Sequence, residues 1–288
     1  MINISVVIPA TGECNFLLDS IKSVTSQDYS GKFEIILIHQ KIRYERMKEV
    51  LELNDQHINI IHDPGSGIVS ALNMGINASK YEWVARLDSD DLMVPGRLTS
   101  QANFISMHPE YILVGGQAIV INESGDYIAT ARYPINNSSI KYALKVDSAI
   151  PHPGVIFLKS AILEAGGYNE TFPNLEDYNL WLNLLKFGKF HNLSETVLKY
   201  RSHSKQITKL NQDQIDKEKS RLIFKNYFRS RRYDEQALKE ITITLKLLRE
   251  NKYKRILYLV IFVFRNKLLI FRYLLRKVLT RFITRIGL

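Results

Sequence analysis

Three carboxylates, Asp88, Asp90 and Asp91, fall within four consecutive residues, Asp88-Ser89-Asp90-Asp91. Like charges that close repel one another, so the cluster is costly unless a cation or hydrogen-bond donors offset it. Hard oxygen ligands on a tight turn suit Mg²⁺ or Mn²⁺, which takes one or two protein carboxylates and completes its shell with phosphate oxygens and water. A solvated acidic turn is the plainer alternative. Position favours the metal site: the apolar run Trp83–Leu87 leads directly into the cluster, as a buried strand ending at the ligand-binding edge of an open α/β sheet does. A second acidic pair, Glu176-Asp177, opens a helical pattern over Tyr178–Phe187 with Trp181, Leu184 and Leu185 on its apolar face. Acids in a first helical turn are favoured by the helix dipole, so capping alone accounts for them.

The elements that would position these acids are legible upstream. Ile4–Ile8 and Phe33–Ile38 are continuous β-branched runs, as in strands buried on both faces of a parallel sheet. Between them Phe16, Leu17, Ile21 and Val24 recur at helical spacing, with Cys14 at the start of that helix. Lys41–Leu53 reads as a second helix and Ile58–Ile61 as a third strand. The loop Pro64-Gly-Ser-Gly67 then precedes a helix from Ile68 to about Ala78. This β-α-β-α-β order predicts a doubly wound, nucleotide-binding half. Further strands are expected at Tyr111–Val120 and Tyr127–Tyr133 around a turn, then a helix near Ser138–Val146 and another after Leu158.

Composition bounds the partners. The chain has 288 residues, 45% of them hydrophobic, and one cysteine. That is enough for a sizeable core, and it excludes an internal disulfide framework or a Cys-based zinc site. The opening Met1–Pro9 reads as a strand rather than a signal peptide, which predicts a cytoplasmic chain. Net charge is +10, but residues 255–288 alone carry +8 without an acid. The first 254 residues are nearly neutral, which argues against a nucleic-acid-binding body.

Ser5-Val-Val-Ile-Pro9, Gly67-x5-Asn73-x-Gly75 and Leu87-Asp-Ser-Asp-Asp91 with Pro95 and Arg97-Leu98 resemble the family 2 glycosyltransferases of the GT-A fold. His152-Pro153, Gly166-Gly167-Tyr168 and Glu176-Asp177-Tyr178-x-Leu180-Trp181 continue the match in the same order, over roughly residues 2–205. The likeness is strongest to bacterial enzymes of capsule, exopolysaccharide and lipopolysaccharide synthesis. It implies an inverting transfer of a hexosyl or N-acetylhexosaminyl unit from a nucleotide-diphosphate sugar, with UDP as the first expectation, to a glycan or lipid-linked hydroxyl.

The resemblance also assigns roles. Asp90 becomes the best ligand for Mn²⁺ or Mg²⁺, with Asp88 and Asp91 assisting and His203 as a further candidate. Asp177 becomes the general base and Glu176 its orienting neighbour. Pro9, Ala10, His39, Asp63, Arg86, Asp88, Ser89, Asp90, His152 and Arg201 become donor-site candidates. For Arg86, on an otherwise apolar strand, the expected contact is the diphosphate or the aspartate cluster itself. For His152 an acceptor-side position and a structural hydrogen bond both stand. In one respect the chain departs from the pattern. Many relatives follow the second strand with Val-Asp-Asp-Gly-Ser, whose first Asp contacts the base, whereas here Leu37-Ile38-His39-Gln40-Lys41 stands there. His39 or Gln40 is the available substitute, and Asp63 the nearest other edge residue.

The tail is a separate problem. Residues 256–264 form an apolar run of nine, short of the ~20 needed to span a bilayer. Beyond it Leu268, Phe271, Leu275, Val278, Leu279, Phe282 and Ile286 share one helical arc, with Arg272, Arg276, Lys277 and Arg281 elsewhere on the surface. That pattern predicts a helix lying in an anionic membrane interface, with docking on the chain's own domain as the alternative. The expected organisation is a catalytic domain at 1–205, a helical extension at 206–254 and membrane-associating helices at 255–288, peripheral on the inner face of the cell membrane. A nucleotide-sugar nucleotidyltransferase is the rival enzyme, but Ala10-Thr-Gly-Glu13 lacks the basic, Gly-rich loop it would need. A catalytically inactive membrane-bound nucleotide- or sugar-binding protein is the non-enzymatic alternative.

Overall fold

A computed structural model describes residues 1–203, save positions 13, 66, 145, 146 and 173, together with residues 215, 218, 219, 221 and 222. The expected helices at 255–288, and most of the extension at 206–254, lie outside the described residues.

Continuous apolar sequence produces the central strands, β1 (Ile4–Thr11) and β2 (Phe33–Gln40). Each alternates its side chains between the two faces of the sheet. Val7, Ile36 and Ile38 therefore enter one core cluster, while Val6, Ile8, Ile35 and Leu37 enter the other. β3 (Ile58–His62) and β4 (Trp83–Arg86) complete a parallel set in the order β3-β2-β1-β4. The crossovers are α1 (Leu17–Thr25), α2 (Tyr44–Glu52) and α3 (Ile68–Ala78). α1 packs Leu17, Ile21 and Val24 on one face, and α3 packs Val69, Leu72 and Ile76 on the other. Gly75 of α3 lies so close to β1 that an added Cβ would strike the Val7 side chain.

Downstream the sheet becomes mixed. β5 (Leu92–Met93), α4 (Arg97–Met107), β6 (Tyr111–Ile121) and β7 (Tyr127–Ala131) follow the acidic turn. Then come α5 (Asn137–Ala143), a 3₁₀ turn at His152–Gly154, β8 (Ile156–Leu158), α6 (Lys159–Glu164), α7 (Glu176–Leu184) and β9 (Lys189–Arg201). β8 inserts antiparallel between β4 and β6, and β6 runs parallel to β9. The result is a nine-stranded sheet ordered β3-β2-β1-β4-β8-β6-β9-β5, with β7 paired to β6. The doubly wound α/β expectation holds.

Several boundaries differ from the sequence reading. The strand before the acidic cluster ends at Arg86 rather than Leu87, and α7 takes Glu176 and Asp177 into its first turn. Cys14 precedes α1 instead of starting it and has φ +44°, in the left-handed region. β9 escaped the sequence because its polar residues, Asn192, Ser194, Glu195 and Thr196, break up its apolar pattern. Among the described residues no helix is long and apolar enough to cross a membrane.

Candidate active site

The carboxyl ends of the parallel strands form one edge. There Ala10 of β1 pairs with His39 of β2, and His39 with His62 of β3. Pro9 is buried beside Ile38 at the same edge. β4 leaves the sheet at Arg86, and the Leu87 N–H still bonds to the Val7 carbonyl at 3.1 Å. The chain then turns through Asp88-Ser89-Asp90-Asp91, closed by the Asp91 N–H on the Asp88 carbonyl at 3.2 Å.

Carboxylate oxygens of Asp88, Asp90 and Asp91 come within 4.8 Å of one another. Asp91 is completely buried. Its Oδ1 accepts the Arg201 backbone N–H at 2.8 Å, while its Oδ2 is buried without a partner. Burial, then the charges of Asp88 and Asp90, pushes the Asp91 carboxyl well above the usual carboxylate range. Burial also raises Asp88, against the opposing pull of Arg86, with which it forms an ion pair. Arg86 is itself buried, with Nε and Nη1 unpartnered. Arg86 pairs with Asp88 alone among the three clustered carboxylates, and one Asp91 oxygen has no donor. Such a donor set fits a hard divalent cation, which would both complete Asp91 and offset the like charges.

β9 delivers the next two residues. Leu92 and Met93 of β5 pair with Lys199 and Leu198 of β9, which brings the end of β9 against the acidic turn. His203 Nε2 lies 2.8 Å from Asp90 Oδ2, so the histidine reaches the cluster. Arg201 donates from Nε to the Asp90 carbonyl at 2.9 Å and from Nη1 to the Glu123 carbonyl at 2.7 Å. Its guanidinium stacks 4.3 Å from the Phe16 ring. Arg201 therefore braces the acidic turn from beneath.

The second acidic pair approaches from α7. Asp177 Oδ1 accepts the Tyr178 N–H at 2.6 Å, and burial raises its carboxyl while Arg86 and Lys219 draw it down. Glu176 is buried with Oε2 unpartnered. Burial, then the charge of Asp177, pushes Glu176 up to about 7. Asp177 also raises Asp88, so the two acidic elements share one electrostatic site.

His152 makes a structural hydrogen bond, one of the two roles expected of it. Its Nε2 lies 2.7 Å from the Tyr168 hydroxyl, and its ring meets Trp181 edge-on at 5.7 Å. Burial and the Arg86 charge hold it neutral, well below the usual imidazole range. Asn73 clamps the same loop with two bonds, donating to the Tyr168 carbonyl and accepting the Tyr168 N–H, each at 2.9 Å. The Asn73 and Gly167-Tyr168 motifs are thus one interaction, which spacing alone could not reveal.

At the opposite end of the edge, Asp63 is buried and already satisfied. It accepts from Gly65 N–H at 2.8 Å, from the Ser70 hydroxyl at 3.0 Å and from the Gln40 amide. Gln40 donates to the Gly67 carbonyl as well, at 3.2 Å. His39 packs edge-on to His62 at 5.0 Å, and burial with the His62 charge lowers its pKa. Among the described residues His39 makes no side-chain hydrogen bond, whereas Gln40 spends its amide N–H on Asp63 and Gly67.

Sequence reasoning missed two positions. Arg97, fully buried in α4, donates to the carbonyls of Arg86, Pro153 and Val155 and to the Gln101 side chain, at 2.9–3.1 Å. It ties the exit of β4 to the His152 turn. Lys219, in the expected extension, pairs with Asp147 and stands 5.8 Å from the Tyr178 ring. Arg97 was visible as part of a motif without a role; Lys219 carried no signal.

The family model described as Glycosyl transferase family 2 matches residues 5–167. The O-antigen biosynthesis glycosyltransferase WbnJ of Escherichia coli is 34% identical over 214 residues, covering 72% of this chain and 82% of WbnJ. The UDP-Gal:alpha-D-GlcNAc-diphosphoundecaprenol beta-1,3-galactosyltransferase of Escherichia coli is 29% identical over 177 residues, covering 60% of this chain and 63% of that enzyme. Among solved structures, S. aureus TarS 1–349 in complex with UDP-GlcNAc superposes with a TM-score of 0.62 at 15% identity, covering 89% of this chain and 79% of TarS. At that identity the likeness is one of fold.

Proposed function

The chain belongs to glycosyl transferase family 2, and on that premise we propose that it moves a sugar from a nucleotide-diphosphate donor to an acceptor hydroxyl with inversion. Its doubly wound sheet is the GT-A arrangement. The observation that carries the proposal is the carboxylate cluster of Asp88, Asp90 and Asp91 directly after β4, with a buried Asp91 oxygen that lacks a partner. The Glu176-Asp177 pair supports it, since the charge of Asp177 raises the Asp88 carboxyl.

Asp90, Asp88 and Asp91, joined by His203, would hold a divalent cation, Mn²⁺ or Mg²⁺. When bound, that cation offsets negative charge on the diphosphate leaving group as a Lewis acid. Ser89 and Arg86, on either side of Asp88, would meet the same diphosphate. Pro9, Ala10 and His39 line the nucleoside edge, where His39 replaces the acid found in many relatives.

Asp177 is the general base. Its carboxylate takes the proton of the acceptor hydroxyl as that oxygen forms a bond to the anomeric carbon. The bond from that carbon to the diphosphate oxygen breaks on the opposite face, and the nucleoside diphosphate leaves with the bonding pair. Attack opposite the leaving group inverts the anomeric centre. Glu176, buried beside Asp177, orients the acceptor. His152 and Tyr168 keep the floor of the site fixed and neutral.

The activities named for the relatives support a lipid-linked or glycan acceptor in bacterial surface polysaccharide synthesis, and that of the galactosyltransferase a UDP-sugar donor. The basic, amphipathic pattern of residues 255–288 would seat the catalytic domain, 1–205, on the inner membrane face where such an acceptor is presented. The test is a panel of nucleotide sugars scored by thermal stabilisation with Mn²⁺, followed by transfer to lipid-linked acceptors. A true donor raises the melting temperature by mass action. If no nucleotide sugar stabilises the protein or supports transfer, the proposal fails. Removing residues 252–288 should release the protein from anionic vesicles; undiminished binding would refute the membrane role.

A further inference from the structure

α1 carries two sets of side chains. Leu17, Ile21 and Val24 enter the core. Phe16, Ser20, Ser23 and Gln27 recur at i, i+4, i+7 and i+11 along a neighbouring side, the first and last just beyond the helix ends. The three polar members follow the backbone of the acidic turn and of β5. The buried Ser20 hydroxyl donates to the Asp91 carbonyl at 2.6 Å, the Ser23 hydroxyl accepts the Met93 N–H at 2.9 Å, and the Gln27 amide donates to the Val94 carbonyl at 3.0 Å. Phe16 extends the same side and meets side chains instead. The Arg201 guanidinium carbon stands 4.3 Å from its ring centre, and the His203 ring centre 6.1 Å from it. Asp19 adds a carboxylate 4.0 Å from Arg201 Nη2.

We propose that Phe16 is a positioning residue for the cation site, its ring seating Arg201 and His203 against the aspartate turn whose backbone the rest of α1 fixes. This rests on the reading of Asp88, Asp90, Asp91 and His203 as the cation's ligands. β9 ends at Arg201, and the Ser202 N–H still bonds to the Ile121 carbonyl at 2.8 Å. His203 lies past that bond, so sheet register does not set its side chain; Asp90 Oδ2 and the Phe16 ring lie on it. An aromatic face suits the task. It attracts a guanidinium stacked on it without using the in-plane N–H donors. Arg201 keeps Nε and Nη1 for the Asp90 and Glu123 carbonyls while its face rests on Phe16. One ring thereby steadies both the brace beneath the turn and the histidine that reaches Asp90.

The experiment reads Mn²⁺ binding by the full chain without donor, from the electron paramagnetic resonance of the free ion. Phe16→Leu keeps an apolar side chain but has no ring face. It should melt close to wild type and bind Mn²⁺ about three- to tenfold more weakly. Phe16→Tyr keeps the face and should bind Mn²⁺ as wild type does. Residues that act through one another are not additive, so in a His203→Ala background the Phe16→Leu penalty should shrink to about twofold or less. If Phe16→Leu fails to fold, Phe16→Met carries the same expectation. A Phe16 that only covers apolar surface predicts a lower melting temperature in Phe16→Leu with unchanged Mn²⁺ affinity. That result overturns the proposal, as does a penalty undiminished in the His203→Ala background. Failure of the cation reading is seen separately, as Mn²⁺ binding in Asp90→Ala equal to wild type or no binding by wild type, and overturns both.

Discussion

His203 Nε2 sits 2.8 Å from Asp90 Oδ2, although 113 residues separate them in sequence. The contact exists because β9 runs the length of β6 and then pairs with β5, directly after the acidic turn. A histidine placed so beside a carboxylate cluster either ligates the cation or orients the aspartate that does. In both cases His203→Ala should weaken divalent-ion dependence by about 10–100-fold. The check is a Mn²⁺ titration of transfer rate. An unchanged half-saturating concentration would remove His203 from the site.

Asp91 should destabilise the metal-free protein. Its carboxyl is raised in the folded state by burial and by Asp88 and Asp90. A raised acid favours folding when protonated, so that contribution is present below the unfolded value of about 3.9 and is lost as pH rises through the folded pKa. Asp91→Asn removes the penalty and can retain the Arg201 N–H bond through its amide oxygen. The variant should therefore melt a few degrees above wild type at neutral pH without metal, and the gap should close toward acid. Added Mn²⁺ should reverse the order. Scanning calorimetry at two pH values with and without Mn²⁺ measures this directly; a lower melting temperature for metal-free Asp91→Asn would contradict it.

Asn73→Ala removes both bonds that hold the Tyr168 loop and leaves buried peptide groups unpaired. The expected cost is about 1–3 kcal/mol. Because Tyr168 holds His152, kcat should also fall while donor KM changes little. Denaturant unfolding and steady-state kinetics separate the two effects, and unchanged stability would refute the clamp.

His39→Ala tests the nucleoside edge. Loss of one base contact should raise donor KM by about tenfold with kcat nearly unchanged, the signature of lost ground-state binding. His39→Asp restores the acid common in relatives and should favour uridine nucleotides over guanosine ones. Competitive inhibition by UDP and GDP reports the preference; no change in either variant would place the base elsewhere.

Much of this was readable in the chain. β1, β2, β3 and β4 declared themselves through continuous apolar runs, and the acidic turn through its position after one of them. The Asp88, Asp90 and Asp91 turn could therefore be placed from its strand, whereas Glu176-Asp177 stood apart from a plain helix cap only through the family resemblance. What escaped was set by contacts distant in the chain. β9 hides because polar residues such as Asn192, which bonds to the Pro134 and Ala149 carbonyls, interrupt its apolar pattern. Asp63 looked available at a strand end, yet Gln40 and Ser70 occupy it. Arg201, a donor-site candidate by type, sends Nε and Nη1 to backbone carbonyls of the acidic turn and of Glu123. A side chain's type was visible, but its satisfied or unsatisfied state required the fold.

The most direct test of the two-element site is Asp177→Asn assayed twice, for donor binding and for transfer. Asn preserves the shape and the local bond to the Tyr178 N–H but cannot take a proton. Nucleotide-sugar stabilisation with Mn²⁺ should be as in wild type, because the Asp88, Asp90 and Asp91 cluster is intact. Transfer should fall by about 10²–10⁴-fold. Intact binding with transfer within about twofold of wild type would contradict the assignment of Asp177 as the base.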